Sequence, residues 1–208
     1  MVKDIQLYFE NSSDVYFKYL KEHIVISLQA LLIAALIGIL CGYFCYRHPR
    51  FEKYASSLFQ MLRIIPSLAI LFLLIPIIGT GTKPALIALV ILGIPSILLH
   101  TILGFKEVPE RVAETGIAIG MTQRQLLRKV RIPLALPYIL NGIKIALIEI
   151  IASATLAAKI GAGGLGSLIF TGLGLNRTDL LVIGGLSVAV LSLLSSLFIE
   201  RIEKMMIT

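Results

Sequence analysis

Long apolar segments with few charges constrain the fold of this chain more than any other feature. A helix needs about 20 apolar residues, at about 1.5 Å rise per residue, to cross the hydrocarbon core of a bilayer. Five segments have this length and character: 24–46, 54–78, 84–105, 134–158 and 180–199. The expected fold class is therefore an all-α integral membrane protein, with five transmembrane helices in a single domain over residues 1–208.

The charge content agrees with that expectation. Only 15% of the residues are charged, whereas soluble domains have about a quarter, and the mean hydropathy is +0.93. The net charge of +7 would indicate a nucleic-acid partner in a soluble protein. Here the Lys and Arg residues lie in loops beside apolar spans, so we attribute the charge to membrane topology and expect no nucleic acid as a partner.

Basic residues are concentrated in three of the intervals outside the predicted spans. They are Arg47, Arg50 and Lys53; Lys106, Arg111, Arg124, Arg128, Lys129 and Arg131; and Arg201 and Lys204. With five spans these intervals fall on one side of the membrane, and the positive-inside rule makes that side cytoplasmic. We expect a multi-pass protein of the plasma membrane, surrounded by lipid, with its N-terminus outside and its C-terminus in the cytoplasm.

Several small residues and prolines predict how the spans pack and bend. Four small residues share one stripe of the first span, where another helix could approach closely: Ala30, Ala34, Gly38 and Gly42. Three prolines are expected to kink or interrupt the second and third spans: Pro66, Pro76 and Pro95. The Gly-rich segment 161–178 is too short to cross a membrane, and we predict that it forms a partly buried or re-entrant hairpin.

Three charged residues lie inside predicted spans, where charge is expensive and usually functional. They are Arg63 in the second span and Lys144 and Glu149 in the fourth. Lys144 is close enough to the cytoplasmic side to extend its amine toward it. Glu149 lies near mid-span and Arg63 is only somewhat shallower. We therefore predict that Arg63 pairs with Glu149, either holding the bundle together or bordering a pathway.

The interval 106–133 is the longest polar stretch between spans, and it contains signals for two short helices. Pro109 suits the first position of a helix that runs to about Ile119, with Glu107 and Glu110 near the positive end of its dipole. Gly120 suits the left-handed residue that closes a helix. The interval is therefore expected to bend sharply after its first helix.

The second helix of this interval is predicted to start at about Gln123. Thr122 and Gln125 have the spacing of a capping box, and Met121 and Leu126 have that of a hydrophobic staple. Helical spacing puts three arginines on one face: Arg124, Arg128 and Arg131. An amphipathic loop resting on lipid headgroups would explain the charge, but a bend this strongly specified favours a compact knob that docks on a protein.

The residues of this knob resemble a known motif. Glu114-Thr115-Gly116, then Gly120, then Val130-Arg131-Ile132-Pro133 is similar in spacing to the cytoplasmic "EAA" loop of ABC importer permeases. Thr115 and Gly116 replace the two alanines of that pattern. The resemblance covers nearly the whole chain and implies the fold of a type I ABC importer permease, with 106–133 as its coupling loop.

Within these permeases the chain looks most like the short subunits that move osmoprotectants such as glycine betaine, carnitine or choline. The residues that carry this likeness are the runs 63–68, 93–95 and 160–166. Permeases for methionine or another small amine or amino acid are similarly short and remain an alternative. Aromatic residues are scarce in the second to fourth spans, so high affinity for a quaternary ammonium is expected to reside in a separate binding protein.

The resemblance also implies partners. Two permease subunits, identical or paralogous, would pair in the membrane, cytoplasmic ATPase subunits would receive the knobs, and a solute-binding protein outside the cell would deliver the substrate. The chain has no phosphate-binding G-x-x-x-x-G-K-[ST] motif, so ATP is expected on the ATPase and no cofactor in this chain. The residues expected to form the ATPase-coupling loop are Glu114, Thr115, Gly116, Gly120, Met121, Thr122, Arg124, Arg128 and Pro133.

Two other functional classes are alternatives to transport. A membrane-embedded enzyme would need clustered catalytic groups, but His23, His48 and His100 lie near different ends of different spans. We therefore expect no catalytic residue and no metal site. A membrane scaffold without transport activity is the other alternative, and recruitment of an ATPase would separate it from a permease.

Overall fold

The chain is helical along almost its whole length in a computed structural model, which describes residues 2–207. Nine α-helices lie within these residues: α1 Val2–Arg47, α2 Pro49–Leu62, α3 Ser67–Ile78, α4 Thr82–Lys106, α5 Glu110–Ala118, α6 Gln123–Leu126, α7 Ile132–Ala157, α8 Gly166–Gly174 and α9 Thr178–Ile207. A π-helical turn, Leu127–Arg131, joins α6 to α7, and a 3₁₀ turn, Ala158–Ile160, follows α7. The predicted all-α fold class is confirmed.

Four continuous helical segments in the described part of the chain are long and apolar enough to cross a membrane. They are α1, α4, the continuous stretch from α6 through α7, and α9. The predicted spans 24–46, 84–105, 134–158 and 180–199 each lie inside one of them. Helices α2 and α3 provide a fifth crossing if the bent pair counts as one span.

The predicted second span, 54–78, is interrupted at Pro66, which is one of the two outcomes that the sequence left open. Helix α2 ends at Leu62 and α3 begins at Ser67, and the two axes differ by 94°. Pro66 has no N–H to donate, and its ring disfavours the helical conformation of Ile65, so a break is favoured at this point. Pro76 and Pro95, by contrast, lie inside α3 and α4 without interrupting them.

Helix α4 is the centre of the bundle, packed between α1 and α7. Many of its residues are buried, and small residues of its neighbours allow the close approach. A Cβ built on Gly42 of α1 would lie 2.7 Å from Thr101 Cβ, and one built on Gly142 of α7 would lie 2.6 Å from His100 Cβ. Ala30 and Ala34 are fully buried, so the predicted close-packing stripe on the first span is confirmed.

The N-terminal part of α1 extends well beyond the predicted first span. It bends at Ser12, where φ is −141°, and packs its apolar side against α8 and α9 through a cluster of Tyr8, Leu165, Leu168, Leu180 and Ile183. The Gly-rich segment 161–178 forms a turn followed by the short helix α8. In that turn the Gly164 N–H donates to Glu22 Oε2 at 3.0 Å, which ties the turn to α1.

Candidate functional site

The first helix of the polar interval ends in a sharp reversal. Pro109 is the N-cap of helix α5, whereas the sequence predicts that Pro109 is the first residue inside the helix. Glu110 lies in the first turn, and the helix ends at Ala118. Gly120 follows with φ +84°, and a Cβ built there would have no atom within 4 Å. Backbone conformation, and not lack of space, therefore selects glycine at this position.

The second helix begins at a complete capping box, as predicted. The Thr122 N–H donates to Gln125 Oε1 at 2.8 Å, and the Gln125 N–H donates to Thr122 Oγ1 at 3.3 Å. These two bonds satisfy backbone donors that the first turn of α6 would otherwise leave without a partner. The start of α6 at Gln123 is thus set by residues of the interval itself.

The two short helices pack on each other at Gly116. Leu126 is fully buried, and a Cβ built on Gly116 would lie 2.8 Å from Leu126 Cδ1 and 3.3 Å from Met121 Sδ. Both predicted staple residues therefore lie against Gly116. The glycine that replaces an alanine of the EAA pattern is explained by this contact, because it makes room for Leu126.

The outer surface of this helical pair combines charged and polar side chains with exposed apolar ones, among them Ile117 and Ile119. Glu114, Thr115, Arg124 and Arg128 are exposed. The Thr115 hydroxyl donates to the carbonyl of Arg111 at 2.8 Å. The exposed arginines lie on α6 and the π-helical turn, beside Lys129. We call residues 106–133 the coupling knob from here on; Pro133, its last residue, lies in the first turn of α7.

The coupling knob is fastened to the membrane bundle through its third predicted surface arginine. Arg131 Nη1 donates to Tyr46 Oη, at the end of α1, at 3.0 Å, so Arg131 does not join Arg124 and Arg128 on the open face. The Tyr46 ring stacks on Phe105 of α4, with centroids 5.2 Å apart. Lys106 Nζ also contacts Glu52 Oε1 of α2 at 2.5 Å. These contacts connect this end of the knob to α1 and α2.

These anchoring contacts could not be predicted from the sequence. Arg131 and Tyr46 are 85 residues apart, and no local pattern marks them as partners. The π-helical turn Leu127–Arg131 also changes the angular spacing of side chains, since its hydrogen bonds run from i to i+5. Arg131 still lines one groove together with Arg124, but its hydrogen bond to Tyr46 had no signal in the sequence.

Inside the membrane-spanning bundle the structure confirms the predicted ion pair. Arg63 Nη2 lies 3.3 Å from Glu149 Oε1, joining the end of α2 to α7. The other carboxylate oxygen, Oε2, accepts a hydrogen bond from Ser96 Oγ of α4 at 2.8 Å. Ser96 is fully buried and was not singled out from the sequence, because a serine in an apolar helix carries no distinguishing pattern.

The ion pair borders a cavity of about 380 Å³ at the break between α2 and α3. Its lining residues are Leu62, Arg63, Ile64, Ile65, Pro66, Ser67, Ile70, Ile91, Leu92, Pro95, Glu149, Ala152 and Ser153. Lys144, the third charged residue of the predicted spans, is not among them. The cavity therefore combines one cation, one anion and a few hydroxyl groups on an apolar wall without aromatic rings.

The histidines are separated in the structure as the sequence predicts. His23 Nε2 lies 3.1 Å from the Ile151 carbonyl oxygen, His100 Nδ1 lies 2.7 Å from the Ser96 carbonyl oxygen, and His48 packs against Phe44. Within the described residues no three His, Cys, Asp or Glu side chains are arranged to hold a metal ion. The candidate functional regions of this chain are therefore the coupling knob and the intramembrane ion pair.

Comparison with known proteins assigns the chain to a family. The family of binding-protein-dependent transport system inner membrane components matches residues 34–208. This chain belongs to that family. It is a membrane-spanning permease subunit of an ABC importer, a transport subunit and not an enzyme, and ATP hydrolysis belongs to a separate subunit of such transporters.

Characterised relatives match over most of the chain. It is 38% identical to the carnitine transport permease protein of Listeria monocytogenes, over 88% of this chain and 84% of that protein. It is 37% identical to a glycine betaine/carnitine/choline transport system permease protein of Bacillus subtilis, over 83% of this chain and 80% of that protein. Osmoprotectant permeases, which the sequence indicated, are thus among its similar relatives.

A solved structure shows the same fold. The structure of a methionine ABC transporter in inward-facing conformations superposes with a TM-score of 0.82, over 92% of this chain and 95% of the matched chain. The sequence identity is 23%, so this likeness concerns the fold alone. The type I importer fold expected from the sequence is confirmed.

Proposed function

We propose that this permease imports quaternary-ammonium osmoprotectants such as glycine betaine, carnitine or choline. The observation that carries the proposal is the 37–38% identity to permeases of those substrates over more than four fifths of the chain. The alternative substrate, methionine, rests on a structural likeness at 23% identity, which is weaker support. Both alternatives are importers of a small amine, and uptake experiments distinguish between the two substrates.

Transport by the assembled complex tests the substrate class. The permease, co-expressed with its ATPase and purified with it, is reconstituted in liposomes together with the solute-binding protein. We expect ATP-dependent uptake of at least one of labelled glycine betaine, carnitine and choline, and no uptake of labelled methionine. Uptake of methionine with none of the three quaternary amines would overturn the proposal.

The coupling knob is proposed to insert into a cleft of the ATPase subunit. Three features support this function: the knob is compact, Arg124 and Arg128 are exposed, and Arg131 fastens its far end to α1. A knob that is rigid in itself and bonded to the spans transmits displacement, whereas a flexible loop would absorb it. The exposed arginines would pair with acidic groups of the ATPase or with anionic lipid.

The proposed orientation puts the coupling knob in the cytoplasm and the N-terminus outside. Cysteine labelling tests it in a background that lacks Cys41 and Cys45. A membrane-impermeant thiol reagent is expected to label Asn11→Cys on intact spheroplasts and Arg128→Cys only after permeabilisation. The reverse pattern would contradict the orientation.

The assembled importer is proposed to contain a second permease subunit, identical or paralogous, and an external solute-binding protein. Large apolar side chains on α9, such as Leu186, Leu193 and Phe198, are more than half exposed in the single chain, so lipid or another subunit must cover them. Mass measurement of the detergent-purified complex counts permease subunits. A single permease per ATPase dimer would contradict the paired arrangement.

A further inference from the structure

The break between α2 and α3 opens the bundle at the level of its intramembrane charges. All four residues of the break, 63–66, and Ser67, the first residue of α3, line the cavity. The cavity is also lined by Glu149, from the interior of α7, and Pro95, from the interior of α4. Its volume of about 380 Å³ lies within the range of about 300–1,000 Å³ that is usual for small-molecule sites. Irregular backbone at this depth is tolerated where it lines a cavity.

The two ends of the ion pair are held very differently. Glu149 is fixed from behind, because the fully buried Ser96 hydroxyl donates to its Oε2 at 2.8 Å. Arg63 reaches Glu149 Oε1 at 3.3 Å, longer than the roughly 2.7–2.9 Å of a strong charged hydrogen bond. Both side chains remain open to the cavity, with 42% of Arg63 and 36% of Glu149 exposed. Arg63 is thus the partner that can exchange.

A zwitterion can replace the Arg63–Glu149 contact without leaving a charge unpaired. Separating the pair alone would leave two charges without partners inside the membrane region, which is costly. A molecule with a cation at one end and a carboxylate at the other supplies a new partner to each residue. A molecule with a cation alone satisfies Glu149 and leaves Arg63 unpaired.

We propose that this cavity is a recognition site for zwitterions, in which Glu149 binds the quaternary ammonium group and Arg63 binds the carboxylate. The inference rests on the proposed transport of osmoprotectants and deepens it. Since no aromatic residue lines the cavity, Glu149 is the group that attracts the cation there. The α3 helix begins at Ser67 in the cavity wall, so the positive end of its dipole adds to Arg63 on the carboxylate side.

Substrate preference of the reconstituted transporter tests the assignment. Uptake of glycine betaine and carnitine, which carry a carboxylate, is compared with uptake of choline, which does not. We expect Arg63→Gln to lower the ratio of zwitterion to choline uptake by about tenfold, the usual effect of losing one charged hydrogen bond. Glu149→Gln is expected to lower uptake of all three by at least about tenfold for the same reason.

Two further variants distinguish recognition from a structural role. Lys144→Gln removes an intramembrane charge outside the cavity and is expected to leave the uptake ratio unchanged. The exchange Arg63→Glu with Glu149→Arg keeps an ion pair but moves its anion away from Ser96, so it is not expected to restore the ratio. Thermal unfolding of each variant in detergent reports any loss of folding separately.

The outcomes separate this inference from the proposed function. If the unaltered transporter moves quaternary amines but Arg63→Gln lowers betaine and choline uptake equally, the pair is structural and the zwitterion site is overturned while the proposed function stands. If the unaltered transporter moves no quaternary amine, both are overturned.

Discussion

The coupling knob and the intramembrane cavity are both polar regions of an apolar protein, but they are built in opposite ways. Contacts within the knob join residues close in sequence, such as the capping box between Thr122 and Gln125. The cavity joins residues far apart: Arg63 and Glu149 are 86 positions apart, and Ser96 and Glu149 are 53 apart. The knob can therefore form its shape locally, whereas the cavity exists only once the spans have packed.

Gly120→Pro should produce the largest effect and break only the knob. Proline fixes φ near −65°, whereas Gly120 has φ +84°, and proline also removes the Gly120 N–H that donates to the Ile117 carbonyl at 2.9 Å. We expect ATPase co-purification and transport to be lost while membrane insertion stays normal. Pull-down of the ATPase and protease protection of the permease measure the two properties.

Gly120→Asn is the matched control for this change. Asparagine tolerates the left-handed conformation better than other residues, and the position has free space around it, so most ATPase binding should remain. Unchanged transport by Gly120→Pro would contradict the view that the bend creates the docking surface.

Gly42→Ala is expected to have the next largest effect, and it acts on the packed spans. A Cβ at this position would lie 2.7 Å from Thr101 Cβ and 2.9 Å from the Leu98 carbonyl oxygen, so α1 and α4 must move apart. Overpacking of this kind costs about 1–3 kcal/mol. A lower melting temperature in detergent is the expected result.

Gly185→Ala in α9 provides the same substitution without crowding, because a Cβ there meets no atom within 4 Å. It should not lower stability, since alanine favours helix over glycine by about 1 kcal/mol. Equal melting temperatures for the two variants would refute the close-packing argument for α1 and α4.

Thr122→Ala should weaken the knob without abolishing it. Loss of a threonine N-cap costs about 1 kcal/mol, and the Gln125 N–H loses its acceptor. We expect faster amide hydrogen exchange confined to α6 and the π-helical turn, with affinity for the ATPase reduced by about fivefold, the equivalent of about 1 kcal/mol. Faster exchange throughout α7 as well would show that the knob is not an independent local structure.

Gly116→Ala is expected to have the smallest effect. The new methyl group would approach Leu126 Cδ1 at 2.8 Å, but that atom is the end of a flexible side chain that can shift. Alanine also favours helix over glycine by about 1 kcal/mol, which offsets part of the free energy lost when Leu126 shifts. The affinity for the ATPase should therefore change less than about threefold. A complete loss of docking would mean that the Leu126 contact is far stiffer than its geometry indicates.

The sequence predicted the knob well because each of its signals acts over a few residues. Gly120, Thr122 and Gln125 determine where one helix ends and the next begins, whatever the rest of the chain does. Two details still differed: Pro109 is the N-cap and not the first helical residue, and Arg131 bonds to Tyr46. The second difference is a contact between residues 85 positions apart, which no local pattern can indicate.

Within the spans, the sequence predicted an ion pair and a helix–helix contact face, but not the bend between α2 and α3. The cost of charge in a membrane was sufficient to predict that Arg63 meets Glu149, and small-residue spacing was sufficient to predict the contact face of α1. The sequence left open whether Pro66 kinks or interrupts the second span, and the structure shows an interruption with a 94° bend. Proline removes a hydrogen bond in either case, so only the packing around it decides the angle.

The sequence by itself determined that the chain is an α-helical membrane protein and how the coupling knob is capped and bent. These properties follow from segment length, charge placement and contacts over a few residues. Only the tertiary structure decided that Ser96 supports Glu149, that Arg131 fastens the knob to α1, and that the break after α2 opens a cavity beside the ion pair. Such features depend on the packing of helices distant in sequence, where many partners are sterically possible and close approach selects among them.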